Sequence, residues 1–179
     1  MVIMDILKFV VHEVDKDDIV LARDRNGNWL HLKWCRLKYY DKKEGCPNNC
    51  DNNYIFDELY KPPYILVGAK CDFKQYLKEM RKQFCLWSER KLRIPYLWQR
   101  NIDKRLREKT ENVIMKYEAM GVYGLNYMVR PEQHGIFVIA TMIKLGYEIE
   151  TKPKDIVWKI NLIGKEEFNP RQKKLGEYK

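Results

Sequence analysis

Near residue 72 the apolar pattern changes from that of a strand to that of a helix, and this change limits the fold more than any other feature. Residues 64–70, "YILVGAK", read as a strand that follows Pro62-Pro63. From Phe73 the period is helical. Phe73, Tyr76, Leu77, Met80, Phe84 and Trp87 share one face, and Asp72 is placed to cap a helix running to about Ser88. "LRIPY" breaks it, and Pro95 suits the first turn of a second helix that runs to Met120 and stops at Gly121. Trp98, Ile102, Leu106, Val113, Tyr117 and Met120 form its apolar stripe. A third helix is expected over "PEQHGIFVIATMIKL", from Pro131 to the stop at Gly146.

Residues ahead of this switch read as β structure. "ILKFVVHEV" is rich in branched and aromatic residues, and a hairpin is expected around Arg25-Asn26-Gly27-Asn28, because both central residues of an Asn-Gly turn tolerate positive φ. Beyond that turn Leu30, Leu32 and Trp34 alternate with His31, Lys33 and Cys35. At the other end "YEIETKPKDIVWKINLI" reads as a hairpin turning near Pro153-Lys154. The pattern predicts an α+β fold. A small N-terminal β-sheet or SH3-like barrel occupies 1–70, a basic helical region with a C-terminal hairpin occupies 71–163, and a flexible, weakly basic tail occupies 164–179. Helices that run into a hairpin also suggest a winged-helix-like arrangement. Against a base-reading role, "GIFVIATMIKL" offers only Thr141 and Lys144 to base edges, so a buried helix with a structural hairpin is the preferred form.

The chain's 179 residues suffice for one domain with a sizeable core, or for two small ones, and 45% hydrophobic with 33% charged residues is a globular composition. No apolar run approaches the roughly 20 residues that span a bilayer. "MVIMDILKFVVHEV" is broken by Asp5 and Lys8 and has neither a basic leader nor a small-residue cleavage site. A cytoplasmic or otherwise intracellular protein with no membrane partner is expected.

The net charge of +9 points to polyanionic partners. Between Lys74 and Lys109 twelve Lys and Arg face four acids, so nearly the whole excess lies in a fifth of the chain. Codon bias toward lysine inflates the total, but arginine is well represented here. Lys74, Lys78 and Lys82 recur at four-residue spacing on the first helix, and Arg100, Lys104 and Arg107 repeat the pattern on the second. With Arg81, Arg90 and Arg93 these make the expected nucleic-acid-binding set, gripping the phosphate backbone of DNA or RNA. Trp87, Tyr96 and Trp98 lie in the same segment. An exposed one would stack on an unpaired base, though helical spacing favours core positions for Trp87 and Trp98.

Five cysteines stand at 35, 46, 50, 71 and 85. Cys46 and Cys50 flank a Pro-Asn-Asn turn and are the candidate zinc ligands, but structural zinc needs four donors and no second close pair follows. Free thiols in a polar turn outweigh both zinc and a disulfide, and Cys85, mid-helix, is expected to pack. Catalysis has weaker support. Glu148, Glu150, Lys152 and Asp155 resemble the acids and lysine of a metal-dependent nuclease but run in the wrong order, and His134 beside Glu132 is a lone histidine in a first turn. The expected function is therefore non-catalytic nucleic-acid binding. A protein-interaction or structural protein, with a protein partner or a second copy, ranks next, and a metal-dependent nuclease third.

Overall fold

The structure is a computed structural model that describes residues 6–22, 56, 60–128, 131–150 and 154–166, apart from the side chains of residues 95–97 and Gln133. The expected hairpin at 25–28, the strand at 30–35, the loop bearing Cys46 and Cys50, and the chain beyond 166 lie outside the described residues.

The fold is α+β, as its sequence pattern predicts. Four strands, β1 (Leu7–Val14), β2 (Tyr60–Asp72), β3 (Leu125–Met128) and β4 (Ile156–Glu166), form one antiparallel sheet in the order β1-β2-β4-β3. The helices are α1 (Phe73–Gln83), α2 (Glu89–Leu92), α3 (Pro95–Ala119) and α4 (Val138–Lys144). β2 is central and is buried continuously from Tyr64 to Ala69, because both of its faces are covered. Ile65, Val67, Ala69 and Cys71 point toward α3, where they pack with Trp98, Ile102, Leu106 and Val113. Tyr64 and Leu66 point the other way, into a second layer with Ile136, Met142, Ile160 and Leu162.

One buried polar contact joins α3 to the sheet. The Asn161 amide of β4 donates to Thr110 Oγ1 at 3.0 Å, and that hydroxyl donates to the Leu106 carbonyl at 2.7 Å. Each buried group thereby keeps a partner, which avoids a desolvation cost of about 1–3 kcal/mol.

Several local expectations are corrected. The first helix ends at Gln83, and Phe84 and Trp87 leave its stripe to stack on each other at 4.3 Å. Ser88 then caps α2, its hydroxyl accepting from the Lys91 amide at 3.3 Å. Cys85 is accordingly exposed in the connecting turn and not packed. The helix expected over 131–145 is divided into a 3-10 turn, Pro131–His134, and the seven-residue α4. Between them Gly135 adopts φ +79°, and Ile136 bridges to Leu21.

Among the described residues the expected C-terminal hairpin does not form. Residues 147–150 make no strand, and β4 pairs with β2 along one edge and β3 along the other. β4 carries apolar residues on both faces and completes the open edge of β2, which buries far more surface than a two-stranded ribbon would. Thr141, one of the two side chains a base-reading helix could have offered, is buried, and its hydroxyl accepts from the Val20 amide at 3.0 Å. The winged-helix-like arrangement is therefore absent from these elements.

Two buried acids tie stability to alkaline pH. Burial, reinforced by Asp72, pushes the Cys71 thiol up to about 11. Burial, reinforced by Glu166, pushes the Tyr60 hydroxyl up to about 12. Both groups ionise at lower pH once unfolded, so the unfolded chain releases protons first as pH rises. Their stabilisation is complete below the ordinary thiol value of about 9 and disappears as pH climbs to about 12. The melting temperature should hold up to about pH 9 and decline from there to about 12. A flat profile across that window would show that neither group is neutralised by the fold.

Candidate nucleic-acid interface

α3 owes its position to one face. Trp98, Ile102, Leu106, Thr110 and Val113 recur every three or four residues and are all buried against the sheet. Arg100, Lys104 and Arg107 take positions between them and stand exposed. With Gln99 and Asp103 they line an open cleft of about 480 Å³. The structure thus brings three of the nine predicted cations to one open site along α3.

The electrostatics of this cleft depend on a residue distant in sequence. Lys159 of β4 reaches Asp103 with its Nζ at 3.2 Å from the carboxylate. The only acid among the described lining residues is therefore already paired. Arg100 and Lys104 make no ion pair with any described residue. Arg107 lies near Tyr127 and opposes the rise in its hydroxyl pKa that burial and Glu111 impose. Three cations within about two turns of one helix repel one another, and a polyanion laid along the cleft relieves that repulsion.

The six remaining predicted cations divide in two. Lys74, Lys78 and Arg90 are exposed and make no ion pair with a described residue. Lys82 pairs with Glu79 at 2.8 Å, Arg81 with Glu89 at 3.9 Å and Arg93 with Glu89 at 2.9 Å. Arg93 also lies 5.5 Å over the Phe73 ring and donates to the Lys154 carbonyl at 3.5 Å, so it ties α2 to the body of the fold. Phe73 and Trp98 meet edge-on at 5.0 Å, which joins the first turns of α1 and α3.

The aromatics are structural here. Trp98 is buried, with its Nε1 donating to the Arg93 carbonyl at 3.4 Å. Trp87 is sandwiched, with Phe84 stacked at 4.3 Å and Lys91 Nζ 4.1 Å from its centroid. Neither indole offers a free face to a base. Tyr96 lies outside the described side chains.

The other candidate chemistries find less. Glu150 accepts from the amides of Lys154 at 2.6 Å and Asp155 at 3.3 Å, and these hydrogen bonds hold its carboxyl below the usual carboxylate value. It closes a turn. His134 stands half-buried, edge-on to Tyr60 at 6.0 Å. Among the described residues, no three His, Cys, Asp or Glu side chains gather as a metal site would require. Cys46 and Cys50 lie outside those residues.

Sequence reasoning missed Gln99, Asp103 and Lys159. Gln99, Asp103 and Arg107 do share a four-residue spacing, which is the local signal that they flank one groove. Nothing in the sequence pairs Asp103 with Lys159. No known protein family, curated protein or solved structure matches the chain.

Proposed function

We propose that the protein binds nucleic acid without carrying out chemistry on it. Arg100, Lys104 and Arg107 hold the phosphate backbone in the α3 cleft, and Lys74, Lys78 and Arg90 extend the contact. The observation that carries this reading is the cleft itself, lined by three cations with its acid already neutralised by Lys159. Lys and Arg contacts to phosphate release condensed counterions, which makes such binding favourable at low salt. A partner of this kind suits an intracellular protein. No helix among the described residues is long and apolar enough to cross a membrane.

A second reading rests on different residues. Met115, Met120 and Tyr123 are all more than half exposed around the C-terminal end of α3, which suits a protein partner.

Fluorescence anisotropy with labelled duplex DNA, single-stranded DNA and RNA separates the two. Binding to at least one at about 50 mM salt is expected, with steep weakening at about 200 mM. Absence of binding to all three at the lower salt sinks the nucleic-acid reading. A stable protein complex that survives nuclease treatment would then favour the second.

A further inference from the structure

The connection between α1 and α2 has the form of a supported point. α1 buries Phe73 and Tyr76 in its first turns, packs Leu77 and Met80 partly buried against the same core, and leaves Arg81, Lys82 and Gln83 exposed at its end. α2 returns the chain, with Leu92 buried and Arg93 over the Phe73 ring. At the far end the turn is held by backbone bonds from Phe84 N to the Met80 carbonyl at 2.8 Å and from Trp87 N to the Phe84 carbonyl at 3.0 Å. The Phe84–Trp87 stack and Lys91 over the indole stiffen it further.

At this point Leu86 is 95% exposed, more than any other large apolar side chain among the described residues. An apolar group so fully in water on a rigid support gains by entering an apolar slot. The surroundings identify the slot. Lys78, Arg90 and Lys91 flank the turn in sequence and make no ion pair with a described residue, while Arg81 and Lys82 offset Glu89 and Glu79, the acids among them, with Arg93 also on Glu89. A cationic collar fits a polyanion. Within a polyanion, the apolar slot is the gap between stacked bases.

We propose that Leu86 is an intercalating wedge. The α1–α2 turn approaches duplex DNA from the minor groove, its cations rest on the flanking phosphates, and Leu86 parts one base step and bends the helix. Apolar wedges among basic residues do this in minor-groove binders. The proposal rests on the nucleic-acid reading above and narrows it to duplex DNA. Base stacking on a single strand is a poorer use of this turn, because both faces of Trp87 are covered. Insertion into a membrane is also poorer, because one leucine is the only largely exposed bulky apolar side chain of the turn.

The test uses the full chain with a short duplex carrying a fluorophore pair at its ends and 2-aminopurine at a central TA step. Wild type should increase energy transfer between the ends and brighten the 2-aminopurine. Leu86→Ala should lose both signals and about tenfold in affinity, the worth of one leucine side chain. Leu86→Phe should retain them. Because Leu86 is fully exposed, the melting temperature of each variant should match wild type, which separates loss of the wedge from loss of the fold.

Salt-sensitive binding by wild type with no bending and no brightening overturns the wedge and leaves the nucleic-acid reading standing. Full signals from Leu86→Ala do the same. Failure of wild type to bind duplex DNA overturns the wedge, and failure to bind any nucleic acid overturns both. Sedimentation with phosphatidylserine vesicles that depends on Leu86, without bending of DNA, overturns the wedge in favour of a membrane surface.

Discussion

Replacing Gly68 by valine should lower the melting temperature by roughly 6–12 °C, the equivalent of about 3 kcal/mol in a chain of this size. Gly68 lies in central β2, opposite Val10 of β1. A Cβ there would come 2.8 Å from Val10 Cγ2 and 3.2 Å from the Trp158 ring. Valine adds two further methyls in the same direction. Val10 has one stiff torsion with which to yield. Trp158 is constrained by its Nε1 hydrogen bond to the Glu148 carbonyl at 3.2 Å and by Tyr147 edge-on at 5.4 Å. Strand propensity favours valine over glycine by under about 1 kcal/mol, so the clash prevails. Thermal unfolding followed by circular dichroism decides it. A Gly68→Val melting point within about 2 °C of wild type would mean that this layer is looser than its distances imply.

Gly68 also illustrates which parts of the fold can be read locally. "YILVGAK" declares a strand, but the need for glycine within it comes from Val10 and Trp158, brought there by pairing. The helices from Phe73 and Pro95 are legible because their apolar stripes and caps are local. The supposed hairpin fails because Tyr147 and Ile149 alternate with Glu148 and Glu150 as a strand's residues would, while the choice of partner is made by the open edge of β2. Phe84 and Trp87 continue the helical spacing, yet α1 ends at Gln83 and the two rings stack on each other.

The candidate site divides along the same line. Arg100, Lys104 and Arg107 are legible as one stripe because a helix sets their spacing. The neutralisation of Asp103 by Lys159 is not, since it depends on α3 lying over β4.

The second large effect concerns that stripe. Arg100→Glu with Lys104→Glu should lower affinity for the preferred nucleic acid at least about a hundredfold at low salt, because two attractions become repulsions. Both side chains are exposed and unpaired among the described residues, so the melting temperature should not fall. Lys144→Glu is the control. It lies on α4, against the opposite face of the sheet, and pairs with Asp18 at 3.6 Å. Its affinity should stay within about twofold of wild type, because charge effects fade over about a Debye length. Equal losses from the two variants would reduce the cleft to a share of the general positive field. Full affinity in the double variant would remove it from the interface.

The central claim is that a phosphate backbone lies along Arg100, Lys104 and Arg107, with Lys74, Lys78 and Arg90 beside it. The most direct measurement is the slope of the logarithm of affinity against the logarithm of salt concentration, for wild type and for Arg100→Glu with Lys104→Glu on the same duplex. Six phosphate contacts predict a wild-type slope of about −5, and loss of the two mutated contacts a slope shallower by about 2. A wild-type slope near zero, or the same slope in both proteins, would contradict the account.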